Sequence, residues 1–189
     1  MGDSNSKDIA LVNRSLQGDM QAFRELVDAH KDASLTLACS ILKDSMIAED
    51  AVQATFIKVH QKLHTFGQKS KFSTWLYRIV INTSYNVLKQ HKKFVDLAAV
   101  GEVQEATDLG NGNSKEQDQK KYIHQALDAL KPDEALVLRL FYLYEHKIAE
   151  IQEITGFGKS KVKVALHRGR NNMEQELKKL LGNEIHELL

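Results

Sequence analysis

Three observations predict an all-α fold of two small helical domains joined by a flexible linker. Proline occurs once, at Pro132. Apolar residues recur three and four positions apart over long stretches, the spacing of an amphipathic helix. From Phe94 to Lys121 that spacing fails, and the chain turns polar and rich in Gly, Asn and acids, a composition that tethers rather than packs. The predicted divisions are therefore 1–93, 94–121 and 122–189, with the last residues of the middle segment able to join the helix that follows.

Each element has its own signal. Ile9, Val12 and Leu16 mark a first helix ending near QGD at 17–19. Asp19 is placed to cap a longer second helix, with Phe23, Leu26, Val27, His30, Leu37 and Ile41 inward. A break at KDSM precedes a third helix, which points Val52, Phe56 and Val59 toward a core. HTFGQKS, residues 64–70, reads as a loop by its Gly and Ser content. A fourth helix begins at Lys71. Beyond the linker come YIHQALDAL, a turn at Lys131, and a helix opened by Pro132 with Asp133 and Glu134 in its first turn. HKIAEIQEIT forms a short helix stopped by Gly156 and Gly158, and a last helix runs from about Ser160.

A net charge of +1 conceals a strong segregation. Residues 51–95 contain eight Lys/Arg, three His and no acid; residues 154–173 contain five Lys/Arg and again no acid. Two such windows give a near-neutral protein two surfaces suited to a polyanion. Other classes are disfavoured. The single cysteine, Cys39, excludes an internal disulfide and a Cys-based zinc site; its apolar neighbours predict a buried small hydrophobe. No apolar run approaches the roughly 18 residues of a membrane span, and MGDSNSKDIA lacks the apolar core of a signal peptide. A cytoplasmic location without membrane insertion is expected. No phosphate loop or nucleophile motif points to an enzyme. His60 and His64 stand one turn apart, but no HExxH glutamate lies between them, so neither metal nor cofactor is expected.

At 100° per residue the fourth helix divides into two faces. Phe72, Leu76, Ile79, Val80, Thr83 and Val87 form the core side. Lys71, Thr74, Arg78, Asn82, Tyr85, Lys89 and Lys92 form a ridge opposite, with Trp75 at the border. Like charges along one ridge weaken a helix slightly, and an anionic ligand reverses that cost; a solvated basic face is the plainer explanation of this helix taken alone. The loop before it adds Phe66, Gln68 and Lys69, an aromatic, an amide and a cation, which suit unstacked bases.

IAEIQEITGFGKSKVKVALHRGRNN has the order of a helix-turn-helix: short helix, Gly-containing turn, longer basic helix. Val162, Ala165, Leu166, Gly169 and Met173 share its inner face. Ser160, Lys163, Val164, His167 and Asn171 project outward, with Lys159, Arg168 and Arg170 on the flanks. A branched apolar Val164 among exposed polar groups fits a thymine methyl in the major groove, or a contact with the neighbouring domain.

AEDAVQATFIKVHQKLHTFGQKSKFSTWLYRIVINTSYN closely resembles region 2 of bacterial sigma factors of the extracytoplasmic-function type, in the sigma-70 family. LDALKPDEALVLRLFYLYEHKIAEIQEITGFGKSKVKVALHRGR resembles their region 4. The resemblance implies a dissociable subunit of core RNA polymerase that recognises promoter DNA, often held by an anti-sigma factor. By the same resemblance, Glu49, Asp50, Gln53 and Phe56 dock on the polymerase's largest subunit. The loop from His64 and the helix from Lys71 capture the melted −10 element, and KVKVALHRGR reads the duplex −35 element. The chain departs from the pattern at Ala54, where Glu is usual, at Gln152, where a small residue is common, and at Ala165, where Arg is frequent.

The 28 residues 94–121 stretch to about 90 Å but relax as a coil to roughly 30 Å, against promoter elements about 50 Å apart. The free protein is therefore expected to span both elements seldom. The alternative reading is a polymerase-independent helix-turn-helix regulator of duplex DNA, for which a dimer would be needed.

Overall fold

The structure, a computed structural model, describes the backbone of residues 2–98 and 115–181 and the side chains of 5–91 and 121–181. Those residues form helices and turns, with no strand among them. The chain separates into two compact units.

The first unit packs α1 (Gly2–Leu16), α2 (Met20–Leu42), α3 (Ser45–Lys62) and α4 (Phe72–Ala98). Its boundaries follow local chemistry. Gly18 turns the chain with φ 93°, and Asp19 then caps α2, accepting from the Gln21 and Ala22 N–H groups at 3.0 and 3.1 Å. Lys43 ends α2 in the left-handed conformation, and Asp44 caps α3 through the Ile47 N–H at 2.9 Å. The core holds Val12, Leu26, Leu37, Ile41, Val59, Phe72, Leu76, Val80 and Ile81, each side chain contributing about 1.5–3 kcal/mol of apolar burial. Cys39 is only half-buried, because it lies at the edge of this core rather than within it.

The second unit is built around α5 (Lys115–Ala129), α6 (Pro132–Leu138) and α8 (Lys159–Leu181). Pro132 opens α6 as predicted, and α6 runs on through one π-helical turn, Arg139–Leu143. The short α7 (Ile148–Thr155) is closed by Gly156 at φ 73°. α8 lies close against α6: a Cβ on Gly169 would stand 3.1 Å from Leu138 Cδ1.

One predicted boundary shifts. α4 continues to Ala98, so residues 94–98 are helical rather than linker, and α5 begins at Lys115, so that the last residues of the segment, 115–121, join the next helix. The free tether predicted for the remaining sixteen, 99–114, lies outside the described residues.

Candidate nucleic-acid interfaces

On α4, Lys71, Arg78, Asn82 and Lys89 are exposed and Tyr85 is half-exposed, so the ridge exists. It is narrower than predicted. Thr74 is fully buried and Tyr77, Ile81 and Ser84 are buried with it. The reason is that α4 is covered on more than one side, by α1, α2 and α3; the buried arc spreads past the apolar face into the row that carries Thr74. Arg78 and Lys89 form no ion pair among the described residues. The Lys92 side chain lies outside the described residues.

The loop before α4 requires a second correction. Phe66 is 6 % exposed and packs on Phe72 and Trp75, with ring centroids 5.6 and 5.4 Å away. It is therefore an anchor and has no face free for a base. Burial wins because three rings close together exclude water from one another, a contact that the polar loop sequence does not announce. Gln68 and Lys69 are exposed beside it. Gln68 adopts φ 53° and donates from Nε2 to Asn13 Oδ1 at 3.0 Å. Sequence reasoning passed over Asn13, since nothing local links two residues 55 positions apart.

On α3, Glu49, Asp50 and Gln53 are exposed on one strip and Phe56 is half-buried at its edge. Met46 and Ile57, 75 % and 60 % exposed, lie on the same strip and were also passed over. Their signal was present: apolar residues on α3 fall on both faces. Glu49 and Gln53 further line a shallow depression with Lys31, Asp32, Leu35 and Val52. Ala54 is half-buried. The His60 ring lies 4.9 Å from that of Phe23, and among the described residues no group of His, Cys, Asp and Glu is placed to hold a metal ion.

α8 matches its predicted faces. Val162, Ala165, Leu166 and Gly169 are buried. Lys159, Ser160, Lys163, His167, Arg168, Arg170 and Asn171 are exposed, and Val164 stands 46 % exposed among them. Arg170 donates from Nε to the Leu166 carbonyl at 3.1 Å. Charge is divided along this helix. Lys178 and Lys179 pair with Glu174 and Glu176, and Lys161 pairs with Asp133 at 2.7 Å while lying over the Phe157 ring. Lys159, Lys163 and Arg168 form no such pair among the described residues. Of these, Lys159 stands in the first turn of α8, where the positive end of the helix dipole disfavours a cation and a bound phosphate is favoured.

The geometry thus offers an acid-free ridge with an amide-bearing loop, and a helix-turn-helix with a cationic outer face. Comparison with known proteins assigns the segments that carry them. Sigma-70 region 2 matches residues 26–94 and Sigma-70, region 4, matches residues 120–173. The ECF RNA polymerase sigma factor SigW of Bacillus subtilis (strain 168) is 29 % identical over 179 residues, covering 89 % of this chain and 96 % of its own. The ECF RNA polymerase sigma-E factor of Escherichia coli (strain K12) is 28 % identical over 186 residues, covering 92 % and 96 %. The sigma factor RpoE of Bartonella quintana, solved with the anti-sigma factor NepR, superposes with a TM-score of 0.69 at 25 % identity, over 82 % of this chain and 96 % of that one. Among the described residues no helix is long and apolar enough to cross a membrane. Two sigma regions in this order, on helices whose exposed faces suit nucleic acid, lead to one conclusion: the chain belongs to the sigma-70 family, as an RNA polymerase sigma factor of the extracytoplasmic-function type that directs core polymerase to promoter DNA.

Proposed function

We propose a division of labour in which residues 1–93 dock on polymerase and hold the melted −10 strand, while residues 122–189 read the duplex −35 element. Lys163, Val164 and His167 enter the major groove, with Ser160 and Asn171 beside them. Lys159, Arg168 and Arg170 contact phosphates. On α4, Lys71, Arg78 and Lys89 follow the backbone of the separated strand, and Asn82 and Tyr85 lie between them. Glu49, Asp50, Gln53 and Phe56 face polymerase.

The observation that carries this reading is the exposed arc of α4, where cations and amides succeed one another without an acid. Opening DNA costs about 1.4 kcal/mol per stacking step. Stacking on an aromatic returns about 1–3 kcal/mol per base, but the burial of Phe66 withdraws it from that role. The balance falls on phosphate contacts and on hydrogen bonds from Gln68 and Lys69. To the extent that this surface binds the separated strand more tightly than the duplex, binding shifts the duplex toward the open form. No catalytic step is required of this chain, and its place is the cytoplasm, where polymerase works. Just as RpoE was solved with an anti-sigma factor, we infer that one covers the cationic faces or α3 here.

Run-off transcription with core enzyme, with and without the protein, tests the proposal. Promoter-specific transcripts are expected only when the protein is present. Transcripts that persist unchanged after Arg78 and Lys89 are neutralised together would remove the role assigned to α4.

A further inference from the structure

α1 precedes the matched region 2 segment, which begins at residue 26, yet it meets the 66–71 loop directly at one point and the start of α4 at another, with a third contact relayed through α2. Asn13, exposed on α1, accepts the hydrogen bond from Gln68. Asn5 Oδ1 accepts from the Phe72 N–H at 3.4 Å, one of the first amides of α4, which lack partners within the helix. Asp8, buried, lies 3.1 Å from Nε2 of His30. The His30 ring stands edge-on to Phe72 at 5.4 Å, and Phe72 packs on Phe66. One helix therefore holds the start of α4, where the loop ends, and grips a side chain in the loop's middle.

That side chain is the one fitted to read a base. A glutamine amide offers one carbonyl and two N–H donors. Asn13 occupies one donor; among the described residues the carbonyl and the second donor have no partner. A freely rotating amide presents donor and acceptor in either order and discriminates poorly. An amide held by a second amide presents one order, and the left-handed backbone at Gln68 fixes where it does so. We propose that Asn13 is a positioning residue for −10 base selection, acting through Gln68. The proposal rests on the reading that the 66–71 loop meets an unstacked −10 base.

The test uses the full chain with core RNA polymerase on a promoter library randomised through the −10 element, with the transcripts sequenced. The wild type enriches one base at the position that Gln68 reads. Asn13→Ala is expected to reduce that enrichment about five-fold, the scale of one neutral hydrogen bond. Gln68→Ala, which removes the reading group itself, should abolish the enrichment, and adding Asn13→Ala to it should change nothing further, since Asn13 acts only through Gln68. Asn13→Asp retains an acceptor and should keep the preference, while −35 preferences and core binding stay unchanged throughout. Alanine at an exposed helical position favours the helix, so the variant folds. If Gln68→Ala abolishes the preference and Asn13→Ala preserves it, α1 merely packs and the proposal is overturned while the loop reading stands. If Gln68→Ala itself preserves the preference, the loop reading fails and the proposal falls with it.

Discussion

Phe66 acts from inside the protein, as an anchor. Its ring, together with Phe72 and Trp75, fixes the start of the loop that carries Gln68. Phe66→Ala should cost about 3–5 kcal/mol, the range for emptying a buried aromatic site, as measured by urea unfolding. Phe66→Leu should recover most of that and restore transcription in parallel, whereas a stacking role would leave Leu as inactive as Ala. Asp19 poses a different question at the same scale. The Ala22 N–H, and after it the Arg14 guanidinium, hold its carboxyl below the usual carboxylate range. With the folded value below the unfolded one, the cap's contribution is present above about pH 4 and is lost as pH falls through the folded value. Asp19→Asn keeps a capping oxygen and should flatten that part of the acid dependence, seen as a smaller Tm drop between pH 7 and pH 3. The Asp19 cap was legible because capping is local, residue i to i+2 and i+3. The Phe66 anchor was not, because its partners lie across a turn and nothing in HTFGQKS shows which way the ring faces.

At the scale of elements, periodicity gave the centre of each helix face correctly and the width of one incorrectly. The outer face of α8 is as predicted because that face meets no neighbour in its own unit. Thr74 was misassigned on α4 because a wheel has no knowledge of how many helices will cover it, and α1 extends the cover. For the same reason Lys71, Arg78, Asn82 and Lys89, nearest the middle of the open arc, survive as the ridge. Replacing Arg78 and Lys89 with Ala should reduce promoter opening roughly 10- to 100-fold, the scale of two contacts of about 1 kcal/mol each. It should also make the dependence of log K on log salt shallower by about 1.4, or 0.7 per cation on single-stranded DNA. Permanganate reactivity of −10 thymines measures both. A loss of opening with an unchanged salt slope would mean that the two residues support the helix rather than touch phosphates. Gly169 tests the other unit. Gly169→Val forces branched carbon against Leu138 and should cost about 1–3 kcal/mol by overpacking, lowering −35 binding through stability while leaving polymerase docking intact.

For the molecule as a whole, the question is how two domains engage two DNA sites. The helical ends of α4 and α5 leave sixteen residues between Ala98 and Lys115, which reach at most about 55 Å when drawn straight. A free coil of that length averages about 22 Å, and the two promoter elements are about 50 Å apart. Joint engagement by the free protein thus demands nearly full extension, and the second binding event gains almost nothing from the first. Melted −10 DNA adds a further barrier, since an isolated chain must find a strand that is rarely open. The expected outcome is that the free protein binds a fragment carrying both elements no more than about two-fold more tightly than one carrying the −35 element alone. With core polymerase present the two-element promoter should be preferred by orders of magnitude. Filter binding over a salt series, on both fragments, makes the comparison. Nanomolar binding of the free chain to the two-element fragment, with a hundred-fold advantage over −35 DNA alone, would show that the domains span the promoter unaided and that polymerase is not what holds them apart.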